Sequence, residues 1–271
     1  RVMDVNNPQH LVVFVDEYTR YVWVYPLTEK TSESLGIIFH HWWKTQIPLV
    51  REQRSRSDSS TDLETLAVHT DAGSEFQGRF REMLTIRNVQ HVVAPSHQLW
   101  KNGVAEGRIK LLKQLIGICD VQFCTPRRET YVKFAEYAAG MLNMLPTAQL
   151  AKRNFSSPWE ALFARLPKPI WLLPLGATLY VRDYRSVAQR QGPGRKAYFL
   201  GIATGPTFGF KVHYASGNRR DDVVHHAVIT SPTMTSSGIA LVPELELEDS
   251  DGDTDDENTE AIPNVEVQID D

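Results

Sequence analysis

The sequence predicts an α/β protein: a mixed sheet flanked by helices, then a small β-barrel-like domain and a disordered acidic tail. Three observations predict it. Short β-branched runs alternate with stretches of helical periodicity as far as Phe163. Near Gly176 the helical periodicity stops, and short strands follow one another across Gly-rich turns. From Pro243 on, the chain is acidic and poor in aromatics, which leaves too little apolar surface to offset the entropy of ordering it.

Leu11 to Val15 and Tyr21 to Tyr25 are β-branched and aromatic runs separated by the polar stretch Asp16 to Arg20, the pattern of an antiparallel hairpin. Thr31-Ser32 caps an apolar-periodic helix from Leu35 to Trp43, and the Ser/Arg-rich segment Arg51 to Thr61 reads as a surface loop. Leu66 to Thr70 is a third strand that ends at Asp71. The turn Asp71-Ala72-Gly73, a short helix from Phe80 to Ile86 and a strand from Val89 to Val93 follow. Gly103 to Cys119 is a helix with Val104, Ile109, Leu111, Leu112, Leu115 and Ile116 at helical spacing, and with Arg108, Lys110 and Lys113 on the exposed side. Glu129 to Leu145 is a second long helix, stopped by Pro146, and Ser156-Ser157-Pro158 opens a short one through Phe163. Ala177 to Val181, Ala197 to Ile202, Gly209 to Tyr214 and Val223 to Ile229 are the strands of the smaller unit. The domain reading is therefore a core over 1–150, a helical linker over 151–175, a small β domain over 176–232 and a disordered acidic tail over 233–271.

Composition narrows the function. The 271 residues are 42% apolar and 23% charged, and no run of about 18 apolar residues suggests a membrane span. Arg1-Val2-Met3-Asp4 has no signal-peptide pattern and reads as the interior of a longer chain. Cys119 and Cys124 form neither a CxxC pair nor a His/Cys cluster, so the expectation is reduced thiols in an intracellular protein. From Leu241 to Asp271 lie 13 of the 33 acids and none of the 29 bases; the rest carries 20 acids against those 29 bases, a net of +9. A basic body suits a polyanion, because neutralising phosphates releases counterions. Trp42, Trp43, Phe134 and Tyr137 read as core packing. His225 and His226 are neighbours in a strand pattern and point to opposite faces, which argues against a shared metal.

Two carboxylates carry the chemistry. Asp71 closes a hydrophobic strand and Glu106 opens a basic helix, with 34 residues between them. Brought together they repel unless a cation sits between them. Hard oxygen ligands suit Mg²⁺, and a pair of such ions can stabilise both the attacking and the leaving oxygen at a phosphate. Each acid also has an ordinary reading, Asp71 as a turn former and Glu106 as a helix-start acid favoured by the dipole.

The surrounding residues add a resemblance. Val68-His69-Thr70-Asp71-Ala72-Gly73-Ser74-Glu75-Phe76 and Asn102-Gly103-Val104-Ala105-Glu106 are similar to the second- and third-carboxylate motifs of retroviral and retrotransposon integrases. Phe14-Val15-Asp16-Glu17-Tyr18-Thr19-Arg20-Tyr21 resembles the hairpin of copia-type long-terminal-repeat elements. Asn143-Met144-Leu145-Pro146, Ser157-Pro158-Trp159-Glu160, Gly176-Ala177-Thr178-Leu179-Tyr180-Val181 and Phe199-Leu200-Gly201 follow in that family's order, from about Leu11 to Ile229. The resemblance implies a D,D-35-E integrase with an RNase H-like core, part of a polyprotein, that joins element DNA ends to target DNA with two Mg²⁺ or Mn²⁺ ions. It implies Asp71 and Glu106 as metal ligands, and Lys110 and Lys113 as contacts to DNA ends; Arg108, expected on the same exposed side of the helix, is expected to join them at backbone phosphates. It also implies a homo-oligomer when active, and action in the nucleus.

Departures are visible. Asp-Ala-Gly stands where the family has Asp-Asn-Gly, Gln98-Leu99-Trp100-Lys101 replaces its Pro-Gln, and Gly107 follows the glutamate where Arg is usual. The first carboxylate is either Asp4, in a strand Val2 to Val5 with a turn at Asn6 to Gln9, or a residue upstream of Arg1. Asp16 reads as a turn residue. The expectation is a polynucleotidyl transferase; the alternatives are a catalytically inactive integrase-derived nucleic-acid-binding module and an interaction domain for acidic partners.

Overall fold

A computed structural model of the chain describes residues 10–55, 67–94, 103–123, 128–168, 172–181, 194–203, 209–214, 221–225, 227–229 and 265–270. Asp4, Cys124, the acidic stretch 230–264 and the loop before Gly103 lie outside them.

The expected hairpin forms. β1 (His10–Asp16) pairs antiparallel with β2 (Val22–Leu27), His10 opposite Leu27 and Val15 opposite Val22. Asp16 closes β1 as the turn residue: its carboxylate accepts from the Tyr18 amide at 3.0 Å and the Thr19 hydroxyl at 2.6 Å. β3 (Ala67–Thr70) and β4 (Gln90–Val93) pair in parallel. Between β1 and β3 lies β10 (Val265–Asp270), parallel to β1 and antiparallel to β3, so the sheet order is β2-β1-β10-β3-β4. Of the acidic tail expected over 233–271, residues 265–270 supply this strand, and residues 233–264 lie outside the described residues. The alternation Val265, Val267, Ile269 against Glu266, Gln268, Asp270 is a strand pattern that the surrounding acid content masked.

β1 is buried on both faces, as a strand covered by helices on each side must be. Val12 and Phe14 face one cluster, with Leu35, Ile38, Phe39 and Trp42 of α1 (Ser32–Ser55). Leu11, Val13 and Val15 face a second, with Ala105, Ile109 and Leu112 of α3 (Gly103–Phe123) and Phe134, Ala138 and Leu142 of α4 (Arg128–Met144). Thr31 caps α1 as expected, its hydroxyl accepting from the Ser34 amide at 3.2 Å. The helix runs twelve residues beyond Trp43, into the segment expected as a loop, and it carries Pro48 inside. An interior proline costs about 3 kcal/mol. Ile47, Leu49 and Val50, each 7% exposed or less, extend the buried stripe and offset that cost.

After β3 come a 3₁₀ turn at Ser74–Phe76 and α2 (Gly78–Ile86). Gly78 has φ +53°, and the Ser32 hydroxyl bonds the Gln77 carbonyl and accepts from the Phe80 amide, tying α1 to the start of α2. Following α4 are α5 (Ala148–Ala151), which periodicity did not reveal, and α6 (Pro158–Phe163). α6 opens as the sequence predicts. Ser157 Oγ accepts from the Glu160 amide at 3.2 Å, and the Glu160 carboxylate accepts from the amide and hydroxyl of Ser156 at 2.7 and 2.6 Å.

The small β unit is an antiparallel five-stranded sheet in the order β8-β7-β6-β5-β9, with β5 (Thr178–Val181), β6 (Arg195–Ala203), β7 (Gly209–Tyr214), β8 (Asp221–Val224) and β9 (Ala227–Ile229). The strand expected over Val223 to Ile229 is two strands on opposite edges, parted at His225. The pairing of β6 with β7 shifts between Phe199 and Gly201, and Gly201 has φ +143°. A Cβ at Gly201 would meet the backbone of Tyr137 on α4 at 3.7 Å. Tyr137 also stacks edge-on against Phe199 at 6.4 Å and donates to the Leu173 carbonyl at 3.3 Å, and Lys211 pairs with Glu136 at 2.8 Å. One apolar cluster runs from Val12 through Trp159 and Phe163 to Leu179, Phe199 and Val212, so the two sheets share a core. Among the described residues no helix is long and apolar enough to cross a membrane.

Candidate active site

Asp71 stands where the sequence puts it, exposed at the C-terminal end of β3. Its Oδ1 accepts from the Gly73 amide at 2.8 Å, a turn that fixes the carboxylate. Thr70, buried behind it, bonds the Asp71 carbonyl and the His91 imidazole, each at 2.9 Å. Burial, and then the charge of Arg81, hold the His91 pKa below the usual imidazole range.

The acid that the structure brings against Asp71 is Glu75. A Cβ at Gly73 would stand 2.9 Å from Asp71 Oδ1 and 2.6 Å from Glu75 Oε2, so both carboxylates lie close over Gly73. Glu75 is 8% exposed and its charge is met by Lys30 Nζ at 2.6 Å, from the turn after β2. Glu75 lies in the motif around Asp71, and its spacing from Asp71 was a signal available in the sequence. Lys30 gave no local signal, since its partner lies 45 residues away.

Glu106 is exposed in the first turn of α3, next to Ala105, which anchors that turn in the second cluster. Lys110 and Lys113 are exposed on the same helix, as expected. Arg108 is not. The sequence reading set it on the exposed side with the two lysines, and it is 6% exposed, beside Ile109 on the buried side. Burial first, and then the charge of Arg20 in the β1–β2 turn, draw its pKa down to about 10. Its long apolar stem accounts for the placement, since burial of the methylenes among apolar side chains is favourable. Among the described residues no group of three or more His, Cys, Asp and Glu side chains is arranged to hold a metal ion. Asp4, the third expected carboxylate, lies outside them.

No family model matches the sequence. Among curated proteins the chain is similar to the retrovirus-related Pol polyproteins from transposons RE2 and RE1 of Arabidopsis thaliana. It is 26% identical to each, over 220 and 206 residues that cover 80% and 74% of this chain. It is 23% identical over 225 residues to the Ty1-DR6 Gag-Pol polyprotein of Saccharomyces cerevisiae, covering 82% of this chain. The chain spans only 14%, 13% and 12% of the lengths of these relatives. Among solved structures it is similar to the HTLV-2 integrase catalytic core domain in complex with magnesium, with TM-score 0.38, 15% identity, and coverage of 59% of this chain and 99% of that one. For the BIV integrase catalytic core the TM-score is 0.37 and the identity 13%, over 58% of this chain and 95% of that one. The homologues of the chain are thus retrovirus-related Pol polyproteins of transposons, and its structural neighbours are retroviral integrase catalytic cores.

Proposed function

We propose that this chain carries the catalytic core of a copia-type retrotransposon integrase, a polynucleotidyl transferase that joins element DNA ends to target DNA. One observation carries the reading: the integrase-like motifs, in order along the chain, place Asp71 at an exposed strand end and Glu106 at an exposed helix start. The Pol polyprotein relatives support it. In this reading the core is RNase H-like, the smaller sheet is the barrel-like domain that follows it, and the active form is a homo-oligomer on DNA in the nucleus.

The donor set fits a hard divalent cation, because both groups offer carboxylate oxygens and Asp71 is held in place by its own turn. Two Mg²⁺ or Mn²⁺ ions, when bound, would supply Lewis acidity toward the scissile phosphate. The chain's own contribution is positional. Gly73 and Thr70 orient Asp71, the Lys30–Glu75 pair keeps the adjacent negative charge balanced, and Lys110 and Lys113 offer cations to a phosphate backbone. The third carboxylate is Asp4 or a residue that precedes Arg1.

The test is Mn²⁺ binding followed by proton relaxation, with strand joining of element-end oligonucleotides as the second readout. Asp71→Asn and Glu106→Gln should each weaken Mn²⁺ binding about 10- to 100-fold without altering the thermal midpoint. Parent-like binding in both variants would remove Asp71 and Glu106 as ligands. Mn²⁺ binding with no strand joining, in a chain that includes the third acid, would overturn the transferase reading.

A further inference from the structure

We propose that Lys30 is the resident counter-cation of the Asp71 corner: paired with Glu75, it sets how strongly that corner attracts a divalent cation. The proposal rests on the reading of Asp71 as a metal ligand. It makes Lys30 and Glu75 positioning residues that act on the bound ion through their charge.

Local structure holds Glu75 in place. The 3₁₀ turn is closed by two bonds of 3.2 Å, from the Phe76 amide to the Gly73 carbonyl and from the Gln77 amide to the Ser74 carbonyl. Phe76 is fully buried in the first apolar cluster, edge-on to Phe80 at 5.6 Å. Glu75 is its neighbour in the turn and is carried inward with it. The Glu75 side chain is 8% exposed, and a charge so poorly hydrated requires an opposite one.

Lys30 supplies it from another part of the chain. It stands between β2 and α1, two residues before Ser32, whose hydroxyl bonds the Gln77 carbonyl and accepts from the Phe80 amide. That clamp brings the start of α1 to the 3₁₀ turn, and Lys30 Nζ meets Glu75 Oε1 at 2.6 Å. Glu75 Oε2 lies on the Gly73 side. It and Asp71 Oδ1 stand 2.6 and 2.9 Å from one point over Gly73, where a Cβ would be. A carboxylate with its own counter-ion is therefore the near neighbour of the ligand carboxylate.

The signs follow from charge. With both partners present, the pair adds no net charge beside Asp71. Without the lysine, Glu75 adds a second negative charge and attracts a cation more strongly. Without the glutamate, the lysine repels it. A purely structural pair predicts a different pattern: loss of either partner leaves one charge unpaired, loosens the turn and displaces Asp71, so cation affinity falls in both cases.

The experiment is Mn²⁺ affinity by proton relaxation on the parent, Lys30→Met, Glu75→Gln and the double variant, with thermal midpoints alongside and Asp71→Asn as control. At low ionic strength Lys30→Met should bind Mn²⁺ roughly three- to tenfold more tightly, Glu75→Gln more weakly by a similar factor, and the double variant within about twofold of the parent. Affinity that falls in both single variants, or changes in neither, overturns the proposal; if Asp71→Asn weakens binding in the same series, the metal reading of Asp71 stands without it. No Mn²⁺ binding by the parent overturns both. If Lys30→Met does not fold, Glu75→Gln and the double variant decide. The second substitution should then restore affinity, and a double variant that binds no better than Glu75→Gln overturns the proposal.

Discussion

The Asn143 side chain pairs with both main-chain groups of Val22: Oδ1 accepts from the Val22 amide at 2.7 Å and Nδ2 donates to its carbonyl at 2.8 Å. β2 is an edge of its sheet, and Val22 heads it, so an amide side chain from α4 stands in for the missing neighbour strand. Both residues are buried, at 3% and 2% exposure, which makes the two bonds hard to replace with water.

Asn143→Ala should therefore cost about 2–4 kcal/mol, the desolvation of two buried backbone groups left unpaired. Asn143→Asp keeps the acceptor geometry and loses the donor, and it should cost at least as much, because a buried carboxylate then faces the Val22 carbonyl. Urea unfolding measures both. A loss under about 0.5 kcal/mol for Asn143→Ala would show that solvent reaches the Val22 groups.

His91 should set an acid limb of stability. Its folded pKa lies below the usual value of 6.5, through burial and then Arg81, so the unfolded state takes up the proton first as pH falls. The contribution is complete above the unfolded value near 6.5 and is lost as pH falls through the lower folded value. His91→Gln keeps a partner for the Thr70 hydroxyl and cannot titrate. The thermal midpoint of this variant should fall less than the parent's between pH 7 and 5. Identical pH profiles would mean that His91 charges freely in the fold.

The α3 cations divide by burial, and their effects on DNA should divide likewise. Lys110 and Lys113 are exposed, so Lys110→Ala with Lys113→Ala should lower the slope of log affinity against log salt by about 0.9 for each lost phosphate contact on duplex DNA. Binding to all sequences should weaken alike, since phosphate contacts carry no base information. Arg108 lies inside, near Arg20, so Arg108→Met should leave that slope unchanged and stabilise the fold, by about 1–3 kcal/mol. A salt slope that falls with Arg108→Met and stays constant in the lysine double variant would reverse this assignment.

The residues themselves, through local pattern, determined the hairpin Leu11 to Tyr25, the Thr31 and Ser157 helix starts, the strand that ends at Asp71 and the helix that opens at Glu106. Period-two and period-3.6 spacing, turn residues and capping hydroxyls act over a few residues, so they are readable without knowing what packs where. Tertiary structure alone decided that α1 passes through Pro48, that Arg108 turns inward, that Lys30 neutralises Glu75 and that the centre of the first sheet comes from the far end of the chain. Each of these weighs a local cost, such as a lost amide or a buried charge, against contacts with residues distant in sequence. Local pattern carries the cost, and only the assembled core supplies what offsets it.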